Sequence, residues 1–368
     1  MRILHVIAGN LFGGVETYLV SLARFGGKLE HHFALCVEGR LSEELIKTGA
    51  TVHLLGNART SRPWTVLRVR RRLAEWLEGK HFDVALTHSS WPHAIFAPTL
   101  AHAGIPTIFY LHGPITERSW LDSWAKLTAP AGMIGVSQDT VRTGRPLFPH
   151  TPAHVLPYPI PWASAPPDAA VRASVRAELG ASAEEIVLLQ ASRADRWKGH
   201  DQLFDALGRI TDVPGWTCWM AGAAQRPREI AFLNELRAQV ERLGLTKRVR
   251  FLGERRDIPR LLQAADIYCQ ANRGPEGWSL SFMEAFAAAR PVVTTRMGGA
   301  PELIDEATGV LVAPGDMVSY AAALRRLITH PDDVRTMGEN ARRKILSLCA
   351  PERQLAELER ILTTVVAA

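Results

Sequence analysis

Short apolar runs rich in Val, Ile, Leu and Phe recur along the first half of the chain, at residues 2–8, 32–38, 51–55, 82–88, 107–112 and 132–136. Stretches with helical spacing separate them, and the alternation of strand and helix predicts a parallel sheet covered on both faces. A second round follows at 186–190, 217–221, 249–252, 267–271, 291–295 and 309–312. Between the rounds, residues 154–168 carry Pro157, Pro159, Pro161, Pro166 and Pro167. Proline at that density reads as an extended linker. The pattern therefore predicts an α/β chain of two Rossmann-like, doubly wound parallel-sheet domains, 1–165 and 166–350, facing a cleft into which strand ends and helix N-termini point. A last helix at about 351–366 is expected to return to the first domain.

At 368 residues, with 47% hydrophobic and 22% charged residues, the chain has the composition of a globular protein of two ordinary domains. Cys36, Cys218, Cys269 and Cys349 lie far apart without Cys-x-x-Cys spacing, which predicts reduced core thiols, no zinc site and a cytoplasmic setting. The first residues reach Gly9 after one short apolar run, so they read as a strand and not a signal peptide. The longest uncharged run, 94–111, is divided by Pro98, Gly104 and Pro106, so no membrane span is expected.

The net charge of +6 is uneven: residues 1–165 hold 16 Lys and Arg against 11 Asp and Glu, which leaves an excess of one for the rest. Much of the surplus falls in 59–72, where Arg68, Arg70, Arg71 and Arg72 flank an apolar stripe of Val66, Val69, Leu73, Trp76 and Leu77. Such a helix suits an anionic membrane or acceptor, or equally a core-facing helix with a solvated basic back. The absence of interleaved aromatic and basic residues argues against nucleic acid.

Chemistry-bearing residues cluster where strands end. Gly13-Gly14-Val15-Glu16 follows the first strand and opens a helix, offering N–H groups to an anion; it is not the G-x-G-x-x-G of a dinucleotide site. His112, in Leu111-His112-Gly113, ends another strand and can bond a sugar hydroxyl, or be a satisfied structural histidine. Arg193 and Lys198 follow the 186–190 strand, where they can grip phosphate or remain surface cations. Gly222 and Gly253 end two further strands and would let a nucleotide come close to the backbone. In 274–286, GPEGWSLSFMEAF, Glu276 sits on a loop and Glu284 in the first turn of a helix beginning near Ser281. Ser281 and Glu284 also fit a capping box, which needs no ligand. The N–H groups of Ser279, Leu280 and Ser281 would serve a diphosphate at the helix start.

Taken together, Gly13-Gly14-Val15-Glu16, Leu111-His112-Gly113, Arg193 with Lys198-Gly199, Phe251-Leu252-Gly253 and the E-x7-E pair Glu276 and Glu284, in this order along nearly the whole chain, resemble the retaining GT-B glycosyltransferases of family 4. The resemblance implies transfer of a hexose from a UDP- or GDP-linked sugar to an acceptor hydroxyl with retention, in surface polysaccharide or glycolipid assembly. The acceptor would be a glycan or lipid-linked glycan, and the chain a cytoplasmic protein with a peripheral contact at the inner face of the membrane. It implies that Arg193 and Lys198 stabilise the leaving diphosphate, that Glu284 holds the ribose and Glu276 the sugar hydroxyls, and that His112 contacts the donor sugar. No cofactor and no divalent metal are expected. The sequence departs from the commoner pattern by reading Glu-Gly-Trp-Ser at 276–279 where many relatives have Glu-Gly-Phe-Gly. A nucleotide-sugar 2-epimerase and a non-enzymatic nucleotide-sugar-binding subunit are the alternative readings of the same residues.

Overall fold

The parallel strands predicted from the apolar runs form two sheets. The computed structural model describes every residue except 11, 26, 117, 118, 160–166, 223, 225 and 368. Met1–Pro159 with Pro351–Ala368 make one compact unit and Ile160–Ala350 the other. The expected joint at 165/166 lies outside the described residues, as do residues 160–166 of the proline-rich linker.

In the first unit the strands are β1 (Arg2–Ile7), β2 (Glu30–Leu35), β3 (Thr51–Leu54), β4 (Val84–His88), β5 (Thr107–Leu111), β6 (Gly132–Gly135) and β7 (Ala153–Val155). They pair in parallel in the order β3-β2-β1-β4-β5-β6-β7. Strand β7 corrects the expectation of a linker beginning at 154. Its three residues are too few to show a period, and only pairing of Met133 with Ala153 and Ile134 with His154 at the sheet edge makes them a strand. The helix Pro351–Ala367 belongs to this unit and buries Leu358, Ile361, Leu362 and Val365. Val365 lies so close to Gly132 that a Cβ there would meet its Cγ2 at 2.8 Å, so a glycine in β6 lets the returning helix seat.

In the second unit the strands are β8 (Ile186–Ala191), β9 (Trp216–Ala221), β10 (Val249–Gly253), β11 (Ile267–Gln270), β12 (Val292–Thr295) and β13 (Gly309–Val312), ordered β10-β9-β8-β11-β12-β13. Both sheets reverse their winding beside their first strand, between β1 and β4 and between β8 and β11. Loops diverge there at the C-terminal strand ends, which leaves a crevice for a ligand. The central strands are buried on both faces, as the continuous apolar runs require: every residue of β4, β5, β9, β11 and β12 is buried.

All four cysteines are buried, and none is disulfide-bonded. No described helix is long and apolar enough to cross a membrane.

Candidate functional site

The second unit gathers its charged residues at the β8/β11 switch point. After β8 the chain makes a short 3₁₀ turn, Arg196–Lys198, and leaves it at Gly199 with φ of 65°. A Cβ at Gly199 would stand 1.6 Å from the Ala271 carbonyl oxygen, so only glycine allows the turn to touch the chain leaving β11. That contact brings Lys198 to Glu276, 78 residues later, in a direct ion pair between Nζ and Oε1. The pair is largely buried, with side-chain exposures of 14% and 17%. Lys198 Nζ also lies 4.1 Å from the centre of the Trp197 ring.

Glu276 is held from several sides. Its Oε2 accepts from Gln270 Nε2 at 3.0 Å and Asn272 Nδ2 at 3.1 Å, and its main-chain carbonyl accepts from Gly299 N–H at 2.9 Å. Sequence reasoning missed Gln270, Asn272 and the Gly298-Gly299 doublet. The doublet after β12 was a visible turn signal, but nothing local links it to a residue more than twenty positions earlier. A carboxylate offers about four lone-pair positions, so Glu276 retains capacity for hydroxyl donors.

The helix following Glu276 runs Leu280–Ala287, with Ser279 as its N-cap. This corrects the capping-box reading: the N-cap is two residues earlier than Ser281, Ser281 falls inside the first turn, and its Oγ meets Ser279 Oγ at 3.0 Å while no side chain caps the end. Met283 N–H makes the first main-chain bond back to Ser279 O, so the N–H groups ahead of it are available to water or a ligand. Trp278 and Ser279, the departures from the commoner pattern, are both buried, and the indole N–H of Trp278 has no hydrogen-bond partner among the described residues.

Glu284 sits a full turn into this helix, beyond the first turn expected for it. No hydrogen-bond or ion-pair partner for its carboxylate exists among the described residues, and it borders a small hollow with Pro167, Pro259, Leu262 and Gln263. Burial pushes its pKa up from 4.5 to about 7. Gly222 and Gly253 line a different hollow with Ser192, His200, Met220, Arg237 and Phe251. Gly222 serves a purpose other than the one expected, since a Cβ there would stand 1.9 Å from the Ser192 carbonyl oxygen. Its close approach is to the protein's own backbone. His200, in the same hollow, is held at a pKa of about 4 by burial and by the nearby Lys198 charge. Arg193 is not free either: it pairs with Asp195 at 3.3 Å and Glu229 at 3.5 Å.

In the first unit Gly13 and Gly14 are exposed at the start of the helix Gly14–Phe25. Gly13 N–H donates to Glu16 Oε2 at 2.9 Å, so the expected anion nest has already lost one donor to the chain's own carboxylate. His112 is bonded at both ring nitrogens, Nε2 to His88 Nδ1 at 2.7 Å and Nδ1 to the Tyr158 hydroxyl at 2.6 Å. A direct bond from its ring to a sugar hydroxyl would require breaking one of these, and the bonds in place are those of the satisfied structural histidine that was the other reading. Burial, with His5 adding to it, pulls its pKa down to about 3.

Part of the basic stretch is engaged by the chain itself. In the helix Pro63–Leu77, Arg70 donates to the carbonyls of Ile95 and Ala94, and Arg72 donates to that of Leu55. Arg71 is paired with Glu75 at 2.7 Å. Trp64 and Leu67 are more than half exposed on the same helix. Among the described residues no group of three or more His, Cys, Asp or Glu is placed to hold a metal ion.

Two parallel α/β units of this strand order, each with its polar residues at the C-terminal strand ends, define the GT-B class of fold. The sequence profile "Glycosyltransferase Family 4" matches residues 12–161, and "Glycosyl transferases group 1" matches residues 171–344. The chain belongs to this family of GT-B glycosyltransferases. It is similar to the lipopolysaccharide core biosynthesis mannosyltransferase LpsB of Rhizobium meliloti, 36% identical over 138 residues, which cover 36% of this chain and 39% of LpsB. It is also similar to LpcC of Rhizobium leguminosarum, of the same description, 32% identical over 169 residues, covering 45% and 47%. The matches thus span less than half the length of these relatives. The fold superposes on HepE of Anabaena, solved in complex with UDP, with a TM-score of 0.87 at 23% identity over 99% of this chain and 100% of that one.

Proposed function

We propose that the protein is a retaining, metal-independent hexosyltransferase that moves a sugar from a nucleotide-diphosphate sugar to an acceptor hydroxyl. The observation that carries this reading is the Lys198 and Glu276 pair fixed at the β8/β11 switch point, followed directly by a helix start with no side-chain cap. A diphosphate there would take the uncapped N–H groups and share Lys198, while Glu276, already oriented by Gln270 and Asn272, would accept from sugar hydroxyls. Arg193 would add its guanidinium to the phosphates. The unpaired carboxylate of Glu284 suits the two hydroxyls of a ribose. HepE in complex with UDP-glucose and the mannosyltransferase descriptions of LpsB and LpcC support a nucleotide-sugar donor and a surface glycan or glycolipid acceptor.

Charge that develops on the departing phosphate is the quantity such a site must stabilise, and the lysine, arginine and helix end are cations and dipoles already in place for it. In this reading the bond from anomeric carbon to phosphate oxygen breaks as the acceptor oxygen attacks on the same face, and the departing phosphate takes the acceptor's proton.

A thermal-shift series with UDP, GDP, ADP and their sugar conjugates in excess EDTA tests the donor site. A ligand at about a hundred times its Kd stabilises the folded state by about 2.7 kcal/mol. One nucleotide is expected to raise the melting temperature without metal. No rise with any of them overturns the donor site, and a rise only without EDTA overturns metal independence.

A peripheral contact with anionic membrane belongs to the same proposal, supported by exposed Trp64 and Leu67 beside exposed Arg68. Sedimentation with phosphatidylserine-containing vesicles at low salt is the expected result, and a chain that stays in the supernatant removes the membrane from the proposal.

A further inference from the structure

Four histidines of the first unit stand in one diagonal row across the sheet. His31 on β2, His5 on β1, His88 at the end of β4 and His112 just past β5 each lie one strand over and two residues further toward the C-terminal edge than the one before. The registers require this, since Ile3 pairs with His31, His5 with Leu86 and His88 with Tyr110. Residues two apart share a face of the sheet, so all four rings fall on one side.

The rings are joined nose to tail. His31 Nδ1 meets His5 Nε2 at 2.9 Å, His5 Nδ1 meets His88 Nε2 at 3.0 Å, His88 Nδ1 meets His112 Nε2 at 2.7 Å, and His112 Nδ1 meets the Tyr158 hydroxyl at 2.6 Å. Burial keeps every ring far below its ordinary pKa, so each carries one N–H. With one proton per ring and one bond per junction, all four tautomers are coupled, and only two arrangements make every bond.

The ends decide between them. Tyr158 is 2% exposed, its phenol is held protonated by burial, and His112 Nδ1 is its one hydrogen-bond partner among the described residues. At the other end His31 Nε2 is buried with no hydrogen-bond partner among the described residues. If the phenol donates, every junction is made and one group is left over, the Nε2–H of His31. The reverse arrangement strands both the phenolic hydrogen and the His31 lone pair. One unmet buried group costs less than two.

We infer that Tyr158, His88, His5 and His31 are positioning residues for His112: Tyr158 sets the direction of a single hydrogen-bond chain that locks His112 as its Nε2–H tautomer with both nitrogens engaged. The unmet donor is thereby moved to His31, three strands away. His112 then presents a fixed ring edge and its main chain to a ligand, and neither gives nor takes a proton. The importance of this for transfer rests on the proposed function together with the expectation, from the family resemblance, that His112 contacts the donor sugar; the arrangement of the row itself does not.

The test is long-range nitrogen–proton correlation of the histidine rings in the full chain, labelled with ¹⁵N-histidine and assigned by single His→Gln substitutions. All four rings are expected to show a protonated Nε2 and a bare Nδ1. Any of the four with a protonated Nδ1 overturns the inference. Tyr158→Phe removes the donor that sets the direction, so Nδ1–H signals should enter the row in that variant. An unchanged Nε2–H pattern there overturns the role of Tyr158, and the wild-type measurement stands by itself if the variant does not fold. Nucleotides that give no thermal shift while the tautomer pattern holds would remove the transferase reading and leave the row. The converse result would remove the row and leave the transferase.

Discussion

Lys198→Ala lowers the turnover of sugar transfer by about a hundredfold to a thousandfold and changes the donor KM far less. The magnitude is that of removing one preorganised charge or donor from a site where negative charge develops. The asymmetry has a structural cause. In the resting protein Lys198 is already paired with Glu276 and lies over Trp197, so a donor gains only part of its charge on binding. As the bond to the sugar breaks, charge on the leaving phosphate grows and draws the ammonium toward it, an interaction stronger in the transition state than in the ground state. Loss of the lysine leaves Glu276 held by Gln270 and Asn272, so the loop stays formed and the comparison is of chemistry and not of folding. Steady-state kinetics of nucleoside diphosphate release, with melting curves as a check on the fold, measure both constants. Equal losses in kcat and kcat/KM, with KM unchanged, fit the assignment; a loss confined to KM contradicts it.

Glu284→Gln makes the free protein more stable at pH 8 and leaves it nearly unchanged at pH 4. The carboxyl has a folded pKa of about 7 against 4.5 ordinarily, because burial disfavours its charge. Below about pH 4.5 both folded and unfolded chains hold the proton and the group has no effect on stability. Between 4.5 and 7 the unfolded chain releases its proton first, so stability falls as pH rises and the whole loss is present above the folded pKa. The shift corresponds to about 2 kcal/mol once partial exposure to water is allowed for. Glutamine carries no such charge and escapes the descent, which raises the melting temperature at pH 8 by several degrees in a unit of this size, at about 2–4 °C per kcal/mol.

Ligand binding should run the other way. Ribose hydroxyls that donate to the carboxylate favour its charged form, so nucleotide affinity rises as pH rises through about 7 and Glu284→Gln loses both the affinity and its pH dependence. Calorimetric titrations at pH 6 and 8 decide it. A variant that is no more stable at pH 8 contradicts the desolvated carboxylate. A pH-independent affinity contradicts the ribose contact alone.

Some of this molecule was legible along the chain because the information is local. Buried parallel strands need uninterrupted apolar runs, and those runs placed twelve of the thirteen strands in sequence order. Glycines and charged residues after strands marked the turns where Lys198 and Glu276 stand. The exceptions were short-range details with competing solutions. The strand Ala153–Val155 exists only through its pairing to β6, and the helix at Leu280 has its N-cap two residues before the one the capping pattern gave, which turned Ser281 from a cap into a first-turn residue.

The bonds that define the site were decided by tertiary structure. Lys198 and Glu276 are 78 residues apart, and their contact depends on Gly199 seating against Ala271, a backbone approach with no local signature beyond a glycine. The sequence placed three histidines of the row, His5, His88 and His112, in predicted strands. It did not tell which strands would lie side by side. The order β2-β1-β4-β5 brings residues 31, 5, 88 and 112 into sequence, and the register of each pair sets the ring-to-ring bonds. By itself the sequence determined two α/β units and the residue types at their strand ends, because burial and turn formation are paid for residue by residue. Partners, tautomers and the elevated pKa of Glu284 came only from the fold, because they depend on what other segments bring within about 3 Å of an atom or exclude from its surroundings.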